Sequence, residues 1–140
     1  MRQSYLTSSE QDTVDLACRL GSELRPGAWV LLRGDLGAGK TAFIRGIARA
    51  RGIDPAAVTS PTFVLMQEYR GDLTLLHVDL YRLESRAAID DLGLDELAAA
   101  EGTIVAIEWA ERLPTPVEGA VTVTIEDAGG DTRRITIDAP

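Results

Sequence analysis

One stretch constrains this chain more than any other: Gly34-Asp35-Leu36-Gly37-Ala38-Gly39-Lys40-Thr41. An apolar run (Trp29, Val30, Leu31, Leu32) precedes it and a helix-forming run follows it. It fills every fixed position of the pattern G-x-x-x-x-G-K-[ST]. To hold an anion, successive backbone N–H groups must converge, and side chains would obstruct them. Gly34, Gly37 and Gly39 supply that freedom. A helix starting at the loop adds unpaired N–H groups and the positive end of its dipole. Lys40 can reach β- and γ-phosphates, and the Thr41 hydroxyl can ligate Mg²⁺. Of 14 basic residues, Lys40 is the only lysine and the rest are arginine. One lysine must fall somewhere by chance; the sharper reading is that the loop needs a slim, flexible point charge at that position and not a planar fork.

The remaining pattern supplies a fold around the loop. A serine at 8 or 9 caps a helix running to about residue 24, with Leu16, Leu20 and Leu24 four apart and the turn 25–27 ending it. Residues 28–33 read as a buried strand, and residues 41–50 as a helix closed by Gly52. The segment 59–62 is a loop, because Pro61 forces Ser60 towards an extended shape. Residues 63–69 and 73–80 form a hairpin around the turn 70–72. Short helices at 85–91 and 95–100, a buried strand at 103–109, and closing strands at 119–126 and 132–137 complete the chain. This predicts an α/β fold, a small P-loop NTPase-type mixed β-sheet flanked by helices, as a single domain over residues 1–140.

Composition excludes several classes. No apolar stretch approaches the roughly 20 residues of a membrane span, and the first twelve residues lack the apolar core of a secretory signal. The lone Cys18 cannot form an internal disulfide. It reads as a small core residue in a protein of the reducing cytoplasm. One Cys and one His exclude a zinc-type cluster. A net charge of −8 repels phosphate backbones, so direct, strong nucleic-acid binding is not expected.

A magnesium-dependent nucleotide site also needs an acid at the end of a buried strand beside the loop. Asp79 and Glu108 both follow apolar runs and both fall where ligand sites lie in open α/β sheets. Either could ligate the metal, or either could cap a loop or pair with Arg82 or Arg112. His77 alternates with Asp79, so the two face the same side; it reads as a solvated or hydrogen-bonded histidine. Thr59, Ser60 and Thr62 follow the first nucleotide-side helix. They fit a loop that orders around a γ-phosphate and fit a polar turn around Pro61 equally.

These pieces together resemble the TsaE (YjeE) family, small bacterial P-loop ATPases required for threonylcarbamoyladenosine formation in tRNA. The resemblance rests on "GDLGAGKT", "SPTF" with Tyr69 after it, "HVDLYRL", "LGLDE" and "IEWAERLP", which span residues 34–114 in family order. Val78 stands where the family often has Phe. The resemblance implies that the loop, Gly34 to Thr41 with Asp35, Leu36 and Ala38, together with Ala42, holds the phosphates of ATP. Lys40 would act there as a catalytic cation. Thr41 and Glu108 would ligate Mg²⁺, and Asp79 would act near the γ-phosphate as the second catalytic residue. Trp109 would wall the pocket, with Glu10 beside Ser9 approaching the base and Arg133 approaching from the last hairpin. It further implies partners: the tRNA threonylcarbamoyl-transferase subunit and its non-catalytic companion, of TsaD and TsaB type. ATP hydrolysis would reset that complex between turnovers.

Three rival functions follow from the loop alone. A GTPase commonly uses N-K-x-D, which cannot occur when Lys40 is the sole lysine. A small-molecule kinase needs an arginine-bearing lid, whereas the lid-like segment 84–93 carries more acid than base. A nucleotide-sensing module with negligible turnover is separated from an ATPase only by turnover measured with its partners present.

Overall fold

The strand expected before the glycine-rich loop is β2 (Trp29–Arg33), and it lies at the centre of a seven-stranded sheet. The structure is a computed structural model that describes residues 1–35, 37–59, 66–83 and 85–140. The other strands are β1 (Arg2–Thr7), β3 (Met66–Arg70), β4 (Thr74–Asp79), β5 (Thr103–Glu108), β6 (Val121–Asp127) and β7 (Arg133–Asp138). Their order across the sheet is β1-β7-β6-β2-β5-β4-β3. The sheet is mixed, as expected. β2 runs parallel to both β5 and β6, and β4 runs parallel to β5. The β3–β4 and β6–β7 hairpins and the β1–β7 pair are antiparallel.

Among the described residues four α-helices cover the sheet: α1 (Glu10–Glu23), α2 (Lys40–Ala50), α3 (Arg86–Asp90) and α4 (Leu94–Ala98). The period-2 alternation of β2 divides the core. Val30 and Leu32 join Leu16, Ala17, Phe43, Ile44 and Ile47 on the α1–α2 face. Leu31 joins Val78, Ile89, Leu94 and Ile107 on the α3–α4 face. Strands buried on both faces read as continuous apolar runs, which is why β2 and β5 were visible in the sequence.

Two expectations need correction. Cys18 is half-buried and not a core residue, because the buried positions of α1 are Thr13, Val14, Leu16, Ala17 and Gly21. The N-terminal segment, expected to start with a helix cap, first forms the edge strand β1, paired with β7. The cap itself is as expected: the Ser9 hydroxyl accepts from the Asp12 N–H at 3.0 Å. Leu36, Ser60, Pro61, Thr62 and the expected strand start at Phe63 lie outside the described residues. Among the described residues no helix is long and apolar enough to cross a membrane.

Candidate functional site

The carboxyl ends of β2, β4 and β5 open onto one cavity of about 640 Å³. Its floor is the glycine-rich loop. Gly39 caps α2 with φ of 108°, a left-handed conformation that costs a glycine least, and the Phe43 N–H returns to its carbonyl at 3.0 Å. Gly34 answers a different need, since a Cβ there would meet the Ile125 carbonyl oxygen of β6 at 2.6 Å. The loop is therefore pressed against the sheet at one end and released into a helix at the other.

Lys40 is buried, 4% exposed, and its Nζ donates to the carbonyl oxygens of Gly34 (2.5 Å) and Asp35 (2.9 Å). The same ammonium stands 4.2 Å from the centre of the Trp109 ring. Burial pulls its pKa below the usual lysine value, opposed by the negative charges of Glu108, Glu111, Asp79 and Asp35. Two backbone carbonyls, an aromatic face and a ring of carboxylates thus compensate a desolvated cation.

Alternation along β4 and β5 puts the acids on the α2 face. Leu75, Ile104 and Ala106 pack in the core beneath α1 and α2, and the same parity carries His77, Asp79 and Glu108. Asp79 and Glu108 are register partners at the ends of their strands. The Thr41 Oγ1 donates to Glu108 Oε2 at 3.1 Å and Oε1 at 3.3 Å. A hydroxyl and a carboxylate side by side are hard oxygen donors of the kind Mg²⁺ takes. Asp79 instead accepts the Tyr81 N–H at 2.8 Å. Burial pushes its carboxyl above the usual carboxylate range and Glu108 adds to that, while the Tyr81 bond and Lys40 oppose it.

Trp109, directly after Glu108, has φ of 59°, the one positive φ outside glycine among the described residues. Such backbone costs on the order of 1–3 kcal/mol and collects at functional sites. Its ring meets Tyr81 at 4.8 Å between centroids, and both line the cavity. Glu10 also lines the cavity and accepts from Arg45 at 3.1 Å, while Arg45 Nε donates to the Val58 carbonyl at 2.9 Å. Arg133 reaches from β7 and donates to the Ala38 carbonyl at 3.2 Å, so it braces the loop. Gly37, Ala38, Gly39 and Ala42 also line the cavity; Gly34 and Asp35 meet it only through their carbonyls on Lys40.

The structure therefore brings together Glu10, the loop, Lys40, Thr41, Asp79, Glu108, Trp109 and Arg133. The residue reading assigned no role to Thr13, Arg45, Tyr81 or Asp131, and gave Arg82 only as a pairing partner for the strand-end acids; all five share the lining. Tyr81 and Arg82 carried a signal, since they follow Asp79 in "HVDLYRL". Of the two readings of His77, solvated or hydrogen-bonded, the second holds: it is fully buried, with Nε2 2.6 Å from Glu108 Oε2.

The family described as threonylcarbamoyl adenosine biosynthesis protein TsaE matches residues 7–135. A protein of Treponema pallidum named tRNA threonylcarbamoyladenosine biosynthesis protein TsaE is 40% identical over 133 residues, covering 94% of this chain and 97% of its own. A Bacillus subtilis protein of the same name is 40% identical over 140 residues, covering 96% and 84%. The crystal structure of Bacillus subtilis YdiB superposes with a TM-score of 0.76 at 33% identity, over 99% of this chain and 86% of that one.

Proposed function

We propose, from the premise that this chain belongs to the TsaE family, that it takes part in threonylcarbamoyladenosine formation in tRNA as a magnesium-dependent ATPase. The observation that carries the nucleotide reading is the meeting of three groups at one loop: a buried lysine ammonium, the hydroxyl at the start of α2, and Glu108 within hydrogen-bond reach of that hydroxyl.

The roles follow from the chemistry of each group. The loop amides and the α2 N-terminus bind the phosphates. Lys40 exchanges two backbone carbonyls for phosphate oxygens, whose full charge attracts an ammonium more strongly. Thr41 and Glu108 hold Mg²⁺, which neutralises charge on the phosphates when bound. Asp79 holds or orients a proton of the attacking water, a task that suits a carboxyl whose affinity for protons burial has raised. Trp109 and Tyr81 form an aromatic wall on one side of the pocket.

The partners are a transferase subunit and its non-catalytic companion of the same tRNA-modification system, and hydrolysis resets their complex. With a net charge of −8, the chain leaves tRNA contact to that assembly. The test is ATP turnover with and without Mg²⁺, alone and with those partners. Glu108→Ala is expected to abolish magnesium-dependent turnover with the circular dichroism spectrum unchanged. Turnover that is indifferent to magnesium, or that survives in Glu108→Ala, overturns the reading.

A further inference from the structure

His77 has no part in the roles above, yet it is the only histidine in the chain and is fully buried against one of them. Its position follows from register. In the parallel β4–β5 pair, His77 stands opposite Ala106 and Asp79 opposite Glu108. The small methyl of Ala106 lets the imidazole lean diagonally along the shared face to Glu108, and Nε2 lies 2.6 Å from Oε2.

The tautomer can be assigned from the partners. A carboxylate oxygen accepts, so Nε2 donates, and in the neutral ring Nδ1 then carries the lone pair. Nδ1 is buried and has no hydrogen-bond partner among the described residues. An underfilled acceptor is tolerated in a protein interior better than a stranded N–H, which supports the same assignment.

The two oxygens of Glu108 are therefore unequal. Among the described residues, Oε2 accepts from both His77 Nε2 (2.6 Å) and Thr41 Oγ1 (3.1 Å), whereas Oε1 has only the longer 3.3 Å approach of Thr41. We propose that His77 is a positioning residue: by filling Oε2 it holds the Glu108 carboxylate in one orientation and leaves Oε1 to take the cation. The inference rests on the nucleotide–magnesium reading above. Partners that fix a metal-binding carboxylate typically matter by about 10- to 100-fold in metal affinity.

The test compares His77→Gln with His77→Asn. A glutamine amide nitrogen can stand near the Nε2 position, whereas an asparagine nitrogen reaches only the Nδ1 position. Mg²⁺ is titrated into protein saturated with a non-hydrolysable ATP analogue, and analogue affinity is measured separately in EDTA. His77→Gln should keep the Mg²⁺ midpoint within a few-fold of the parent. His77→Asn should raise it by about 10- to 100-fold with EDTA affinity unchanged. Equal midpoints in the two variants, or parallel loss of affinity in EDTA, overturn the positioning role. Nitrogen NMR of the unsubstituted protein gives a second readout, because the single imidazole must show the Nε2–H tautomer; an Nδ1–H tautomer overturns the proposal without any substitution. If Mg²⁺ fails to tighten analogue binding in the unsubstituted protein, the nucleotide–magnesium reading itself falls, an outcome distinct from equal variants in a protein that responds to Mg²⁺.

Discussion

Lys40 shows how much one residue does here. Its ammonium is buried, bonded to two carbonyls and stacked on Trp109, so it is already desolvated and aimed across the loop. Lys40→Ala is expected to weaken ATP binding by roughly tenfold to a hundredfold, the loss of a charge-assisted contact of about 1.5–3 kcal/mol; calorimetric titration measures it. Asp79 gives a prediction of opposite sign for stability. Its folded-state pKa is raised chiefly by burial, so the folded protein binds that proton more tightly than the unfolded chain does. The favourable contribution is complete below the unfolded value and is lost as pH rises through the raised folded one. Above the raised folded value, burial of the charged carboxylate opposes folding. Asp79→Asn keeps an acceptor for the Tyr81 N–H and should raise Tm at neutral pH, by about 3 °C for each kcal/mol relieved. That gain should vanish on acidification below the usual carboxylate range, while ATP turnover falls at neutral pH. Scanning calorimetry across pH, paired with a phosphate-release assay, checks both.

At the scale of elements, the α1–α2 crossing sets where the cavity wall stands. A Cβ on Gly46 would meet the Val14 carbonyl oxygen at 2.3 Å and the Ala17 Cβ at 2.5 Å, and one on Gly21 would meet the Ile47 Cα at 2.9 Å. The two helices touch backbone to backbone. In an exposed helix, Gly→Ala gains about 1 kcal/mol of propensity. At Gly46 the neighbour is rigid main chain, and overpacking should win, with a net loss of about 1–3 kcal/mol in urea unfolding. Because α1 carries Glu10 and Thr13 into the cavity, the same substitution should also weaken nucleotide binding. The reading by element was good where burial writes a pattern: β2, β5, both hairpins, and α1 with its serine cap were all legible. It failed at β1, whose residues 2–4 are exposed and polar. An edge strand exists because β7 offers it a ladder, and nothing within residues 2–7 encodes that. His77 was legible as sharing the Asp79 face, but its bond to Glu108 depends on β4–β5 register, which no local spacing fixes.

Over the whole molecule, the sheet joins the two ends of the chain, with Arg2 opposite Asp138 and Thr7 opposite Arg133. Thr7 is buried and its hydroxyl bonds that of Thr13 in α1 at 2.8 Å, so β1 anchors both the sheet edge and the first helix. Removing residues 1–7 is expected to cost on the order of 2 kcal/mol through lost burial. It should also increase aggregation through the uncovered β7 edge; thermal unfolding and light scattering measure the two effects. The glycine-rich loop was the most legible part of the candidate site because its pattern is written in consecutive residues. The remainder of the site comes from strand ends far apart in sequence, and only the sheet order assembles them.

That sheet order also bears on the protein's birth at the ribosome. The central strand, Trp29–Arg33, finds its two neighbours in Thr103–Glu108 and Val121–Asp127, so it has no ladder until about seventy further residues have been made. A nascent chain therefore carries this apolar strand unpaired until its partners have emerged, an interval in which chaperone cover is expected to protect it from aggregation.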